Sequence, residues 1–329
     1  MCMLTNPSLI LKMKKIVFTC VCLSVTIACF AQQSKYKNID EVVQKLGQLN
    51  NFNVAVIADT ITEKFADNEQ KARAIFYWIA NNIQIDPKGT RQNDDKNILP
   101  EKVIALRKAT PLGFSLLVQE MCSAANIRCL SVDGYVKNFA AEINESTDEK
   151  NYSWNVIQLG QSPETWYYVD AARASGYLDK KNTIFTKQFT SEYFFADRKL
   201  FNLAHFPDNS AWQLGEGVKN VKDYYALPVF NNYAFTLGLS KPIPITGYIK
   251  TTLKKTVVFT FPINGATTIK NISLIMGDEK KQSKPEAMNF ENTGGIISFA
   301  YQFKKEDTFP LRVIADGKDI LQYIVEVNE

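Results

Sequence analysis

The sequence predicts an α+β chain. A mixed helix-and-strand domain occupies residues 32–240, and a small all-β sandwich occupies residues 241–329. Three observations lead there. Apolar residues recur at helical spacing between residues 68 and 124. Strand-like runs take over from residue 127. After Pro242 and Pro244 the pattern shortens into β-branched and aromatic runs typical of small antiparallel sheets. The 329 residues suit two ordinary domains, and 46% hydrophobic against 22% charged residues is a globular composition.

The elements follow in order. Residues 38–46 form a short amphipathic helix. Ala72, Ile75, Phe76, Ile79 and Ile83 mark one buried face of a helix over 68–83, with Asp67 or Asn68 as its cap. Pro87 and Gly89 end that element, and Asp94-Asp95-Lys96 is a polar loop. Pro100 to Arg107 is a short helix. The helix over 111–124 starts where Thr110 can cap it and Pro111 fits the first turn, where a missing N–H costs nothing. A strand over 127–133 turns at Gly134-Tyr135. Glu142 to Lys150 is a charged loop. Strands 152–159 and 166–170 flank a hairpin turn at Pro163-Glu164, and 183–200 is aromatic-rich. Beyond the Pro242/Pro244 linker come runs at 245–251, 256–261, 271–276, 295–303, 310–315 and 320–327. Turns are expected at Asn264-Gly265 and at Asp316-Gly317, a tight hairpin signal. Six or seven short strands in this space give a sandwich of immunoglobulin-like general build.

The formal charge of +4 comes mostly from the first 31 residues. They carry Lys12, Lys14 and Lys15 and no acid, so removing three of 38 basic residues leaves 35 against 34 acidic, a net +1. A near-neutral chain lacks the basic excess that a nucleic-acid footprint needs. Met13-Lys14-Lys15 precedes a 15-residue apolar stretch, Ile16 to Phe30, and a small-residue cleavage site after Ala31. This is a signal peptide with an upstream extension, too short for a membrane span. A second reading is a lipoprotein signal, with a lipid anchor at Cys29. Both imply export to a bacterial periplasm or cell surface.

Four of six cysteines (Cys2, Cys20, Cys22, Cys29) fall in that leader. Cys122 and Cys129 remain, expected as two small buried side chains, although an exported location also permits a bridge between them. Two cysteines and a single histidine, His205, cannot build an ordinary zinc site, and there is no glycine-rich phosphate loop. No metal and no cofactor is expected.

A set of short motifs resembles the transglutaminase-like superfamily, which has a papain-like fold. They are Lys71-Ala-Arg-Ala-Ile-Phe-Tyr-Trp-Ile-Ala-Asn-Asn-Ile83, Arg107-Lys108, Gly113-Phe114, Gly134-Tyr135, Trp154-Asn155, Tyr168-Val-Asp170 and Gly176-Tyr177. Phe195, His205-Phe-Pro207 and Trp212-Gln-Leu214 resemble the bacterial branch related to the kyphoscoliosis peptidase. The likeness covers roughly residues 40–240, and shared order and spacing carry it. It implies a Cys-His-Asp triad. The cysteine sits at a helix N-terminus, where dipole and imidazolium favour thiolate, and the aspartate orients the imidazole.

Carried over by position, the cysteine two residues before Gly113-Phe114 is Pro111. The histidine that opens a His-Ala-Trp-Asn motif is Tyr152. The aspartate is Asp170, followed by Ala172 and Arg173 where Thr-Trp is usual. Only Asp170 is retained, so no catalytic residue is assigned. No Cys-His pair stands at the matched positions. Without a histidine to orient, Asp170 is expected to pair with Arg173, Tyr152 or a backbone donor. His205 is expected as a packed corner. The expected cleft is lined by Phe114, Tyr152, Trp154, Asp170 and Arg173, and takes a peptide, protein or glycan ligand of the cell envelope. The leading expectation is an inactive binding or adaptor module. Alternatives are a cysteine-independent peptidase or acyl transferase, using Thr110 or Ser115 with Asp170 or Lys108, and a structural envelope subunit.

Overall fold

The computed structural model describes residues 35–50, 53–92, 94–162, 165–179, 181–264, 267–278 and 280–329. The leader over residues 1–31 with Cys29, the Pro163-Glu164 turn and Gly265 lie outside the described residues.

Ten helices are described: α1 Lys37–Gln44, α2 Val54–Thr62, α3 Asn68–Asn82, α4 Pro87–Gln92, α5 Pro100–Leu106, α6 Pro111–Ala124, α7 Ala171–Ser175, α8 Arg198–Ala204, α9 Val221–Tyr225 and α10 Asn232–Thr236. Their starts follow local chemistry. Asp67 caps α3 by accepting the Gln70 N–H at 2.8 Å, and Thr110 caps α6 by accepting the Gly113 N–H at 3.4 Å, with Pro111 in the first turn. All five apolar positions predicted for the buried face of α3 are buried. The helix is also covered on a second side: Arg73, 1% exposed, donates twice to the Asp40 carboxylate of α1, at 2.8 and 2.7 Å. A buried guanidinium needs such a bidentate partner.

The mixed domain has short strands β1 Gln84–Ile85 and β2 Lys108–Ala109, paired in parallel. Its main sheet holds β3 Arg128–Val136, β4 Tyr152–Gln158 and β5 Trp166–Val169. After the hairpin of β6 Gly176–Leu178 and β7 Phe185–Lys187 comes β8 His205–Pro207, which completes the main sheet in the order β5-β4-β3-β8, all antiparallel. Helix α6 packs on β3 and β4. The turn expected at Gly134-Tyr135 is corrected here. Both residues lie inside β3, which continues to Val136 because β8 adds to its far edge. The glycine is needed for that approach: a Cβ at Gly134 would lie 2.2 Å from the Phe206 carbonyl oxygen and 2.6 Å from the Trp154 ring.

Next in the chain comes β9 Val229–Phe230, and the sandwich follows with β10 Tyr248–Thr252, β11 Thr256–Pro262, β12 Ile272–Met276, β13 Glu286–Met288, β14 Glu291–Thr293, β15 Ile296–Gln302, β16 Asp307–Ala315 and β17 Lys318–Asn328. One sheet runs β10-β17-β16-β12-β13 and the other β11-β15-β14. Pairing is antiparallel except for β10 with β17. Phe259 and Phe299 stack at 5.0 Å on one sheet and meet Tyr323 of the other, 5.8 Å from Phe259. Asp316 and Gly317 both take positive φ, 49° and 78°, as a two-residue hairpin turn requires. β13 and β14 escaped the sequence reading because they are short and polar.

One pairing links the two parts. β9 lies before the proline linker but pairs with Leu321 and Gln322 of β17. The Gln322 side chain is buried there. It accepts the Ala140 N–H at 3.2 Å and donates to the Asn138 carbonyl at 3.2 Å and to Asn231 Oδ1 at 3.1 Å. The sandwich is thereby held against the end of β3. Among the described residues no helix is long and apolar enough to cross a membrane.

Candidate functional site

A cavity of about 470 Å³ opens between the two parts. Pro111 at the start of α6 and Tyr152 at the start of β4 both line it, with Asn138 and Arg173. Two of the three triad-equivalent positions thus line one cavity. The third, Asp170, is fully buried and joined to Tyr152 by a hydrogen bond from its hydroxyl to Oδ1 at 3.2 Å.

Asp170 is the hub. It follows β5 and caps α7, Oδ1 accepting the Arg173 backbone N–H at 2.8 Å. Its own N–H donates to the Tyr193 carbonyl at 3.0 Å. Oδ2 lies 3.1 Å from His205 Nε2. This corrects the expectation that Asp170 has no histidine to orient. A carboxylate only accepts, so the imidazole proton is assigned to Nε2. β8 supplies His205, and its pairing of His205 with Val136 sets the ring's position. His205 is also the packed side chain that was expected: 1% exposed, stacked on Phe201 at 3.8 Å and 6°, with Trp154 edge-on at 5.4 Å. Burial lowers its pKa against the opposing pull of Asp170.

These environments settle what chemistry the wall offers. Burial, then the Asp170 charge, pushes the Tyr152 phenol well above its ordinary value, so the hydroxyl keeps its proton and donates it to Asp170. Pro111 has no reactive atom. Thr110 is used as a cap. The Ser115 hydroxyl is buried and bonded to the Ser131 hydroxyl. Lys108 lies 4.0 Å from Asp86. None of the three hydrogen-bonds to Asp170 or His205. Cys122 and Cys129 are buried and unbridged, and burial followed by the neighbouring Cys122 raises the Cys129 thiol well above its usual pKa. Such a thiol is a poor nucleophile. Among the described residues no group of three or more His, Cys, Asp or Glu gathers as metal ligands would.

The expected cleft lining needs correction as well. Tyr152 and Arg173 line the cavity. Phe114, Trp154 and Asp170 do not: they are at most 1% exposed and lie in the packed layer behind its wall. The buried Trp154 indole N–H has no partner among the described residues. The opposite wall was missed altogether. Arg312, Lys318, Asp319 and Gln322 come from β16 and β17. No signal in the sequence places those strands against the mixed domain. The Asp170–His205 contact spans 35 residues. The only hint of it was that the chain's single histidine lies in a motif of its own.

The geometry can now be set beside known proteins. The model of the transglutaminase-like superfamily matches residues 55–171. Kyphoscoliosis peptidase of Mus musculus is 27% identical over 243 residues, covering 71% of this chain and 36% of its own length. The Lim and transglutaminase domain protein ltd-1 of Caenorhabditis elegans is 22% identical over 299 residues, covering 85% of this chain and 39% of the relative. The crystal structure of a TGase shares 14% identity, with 42% of this chain and 33% of that one covered and a TM-score of 0.27. The chain therefore spans little more than a third of the length of these curated relatives. The match over residues 55–171 begins in α2, runs through α6 and the β3–β4–β5 sheet and ends one residue past Asp170, so this chain carries a transglutaminase-like domain.

Proposed function

We propose that this is an exported, catalytically silent transglutaminase-like protein whose cavity binds a peptide, glycan or other cell-envelope ligand. The supporting observation is that Pro111 and Tyr152 line one cavity, with Asp170 buried behind Tyr152 and its oxygens already hydrogen-bonded. A scaffold suited to hold a thiolate beside an imidazole here presents a proline and a protonated phenol. The aspartate that would orient a catalytic imidazole instead holds a buried one. The acid–imidazole pair serves packing, and the space above it is left for binding.

Hydrolysis by a hydroxyl in the same cavity has less support, because Thr110 and Ser115 are each committed to a structural hydrogen bond. The test is an assay of the purified chain from Gln32 onward for peptide hydrolysis and for amine incorporation into glutamine substrates. The expected result is no turnover above buffer. Turnover that disappears in Tyr152→Phe would overturn the reading. Export is tested by sequencing the N-terminus of protein recovered from the cell envelope. A start at Gln32 is expected, a lipidated start at Cys29 would indicate the anchored form, and an intact leader would sink export.

A further inference from the structure

We propose that the cavity takes an acidic peptide, with its carboxylates held by Arg173 on one wall and Lys318 on the other. The proposal rests on the binding role argued above and names its ligand class. Arg173 projects from α7. One of its terminal nitrogens donates to Asn138 Oδ1 at 2.9 Å, and its guanidinium stands 5.5 Å from the centre of the Tyr152 ring. Among the described residues it forms no ion pair. Both Asp170 oxygens are taken by Tyr152, His205 and the Arg173 backbone N–H. Lys318, at the start of β17, has its ammonium 4.5 Å from the centre of the Tyr233 ring and likewise forms no ion pair among the described residues.

The other charges on the walls are held locally, and of them Asp179 alone keeps an uncancelled charge, opposite in sign to the two cations. Arg312 pairs with Asp319 at 3.1 Å. Asp179 accepts the backbone N–H groups of Thr183 and Ile184 at 2.6 and 2.7 Å. Two cations from two domains face one cavity without an ion-pair partner among the described residues, although the nearby Asp170 charge favours the Arg173 cation, and a guanidinium with open donors binds carboxylate through charge-assisted hydrogen bonds. A peptide is favoured over an acidic glycan because two of the three tyrosines in the lining, Tyr152 and Tyr233, already carry these cations, which leaves Tyr177 as the tyrosine open to a sugar. The side-chain amides of Asn182 and Gln188 on the same walls suit peptide groups.

The experiment is fluorescence anisotropy on the chain from Gln32 onward, with end-labelled hexaglutamate, hexaglutamine and hexagalacturonate as probes. Hexaglutamate is expected to bind at least tenfold more tightly than hexaglutamine, and to weaken between about 50 and 300 mM salt. Arg173→Met should lose about tenfold in affinity, with Arg173→Lys recovering part of it, and Lys318→Met about threefold. Lys318 is exposed on a hairpin, so its variant stays informative should Arg173→Met fold poorly. Equal binding of hexaglutamine overturns carboxylate recognition, and tighter binding of hexagalacturonate overturns the choice of peptide. Both results leave the cavity as a binding site. Binding indifferent to all three substitutions places the ligand elsewhere and defeats the binding role itself, and silence of every probe overturns the proposal. Catalytic silence is judged separately, by the turnover assay.

Discussion

The floor and the walls of the cavity are built on opposite principles. On the floor, Asp170 receives three donors from three elements, and His205 is sealed between Phe201 and Trp154. On the walls, Arg173 and Lys318 form no ion pair among the described residues. A buried hydrogen-bond network centred on one carboxylate contributes to stability and resists change, even though His205 Nδ1 has no partner among the described residues. Open cations contribute little to folding and are available to a ligand. On the reading proposed above, the triad-equivalent residues around Asp170 serve structure, and recognition falls to groups that a family motif does not name.

The largest effect should come from breaking the floor. Asp170→Ala leaves the His205 imidazole and the Tyr152 hydroxyl without their acceptor and removes the cap of α7. The expected loss is about 3–5 kcal/mol of unfolding free energy, read from denaturant midpoints. A loss under about 1 kcal/mol would show that the floor is not a structural hub.

A second test asks whether Pro111 and Tyr152 occupy the places assigned to them. Pro111→Cys puts a thiol at the N-terminus of a 14-residue helix, and adding Tyr152→His puts an imidazole next to Asp170. At pH 6 the double variant should be alkylated by iodoacetamide at least about tenfold faster than the single one, because a neighbouring imidazolium stabilises thiolate. Cys122 and Cys129 are buried and give a low background. Equal rates would mean that the two positions do not converge as a catalytic pair must.

The sequence made some of this legible and hid the rest. Helical periodicity found α3 and α6, and cap chemistry at Asp67 and Thr110 placed their starts, because those signals are local. Tyr152 and Asp170 were found through motif order. The His205–Asp170 bond was not, because it depends on β8 adding to the edge of β3, a pairing between distant segments with no local signature. The sandwich wall was invisible for the same reason. The pairing of β9 with β17 and the Gln322 hydrogen bonds to Asn138, Ala140 and Asn231 bring Lys318 and Arg312 to the cavity. Helix α2 escaped although Val54, Ile57, Ala58 and Ile61 keep helical spacing, because it is short and the apolar, exposed Val56 blurs the pattern.

A buried cation without a carboxylate sharpens the contrast further. Lys137, at 3% exposure, has only the Tyr224 carbonyl oxygen as acceptor and the Tyr224 ring face at 3.8 Å. Burial lowers its pKa to about 7, with Glu142 pulling the other way. The unfolded chain therefore holds this proton more tightly than the folded one between about pH 7 and 10.4. Stability should rise with pH across that window and fall as pH drops through it. Lys137→Met removes the dependence. Its advantage over the parent should be larger at pH 7 than at pH 10 by up to about 4 kcal/mol, the worth of so large a difference between folded and unfolded pKa. An advantage that stays constant with pH would show that the lysine does not titrate in that window.

The smallest effect separates the phenol from the ring that carries it. Tyr152→Phe keeps the aromatic face under Arg173 but removes one donor to Asp170, whose Oδ1 still accepts the Arg173 N–H and whose Oδ2 keeps His205. One neutral hydrogen bond to a carboxylate that stays otherwise satisfied amounts to about 1 kcal/mol. Thermal unfolding should show a fall of a few degrees. Hexaglutamate affinity should stay within about twofold, because the guanidinium and the face beneath it are untouched. A tenfold change in affinity would instead mean that the hydroxyl itself touches the ligand, and the line between a structural floor and a binding wall would have to be drawn below Tyr152.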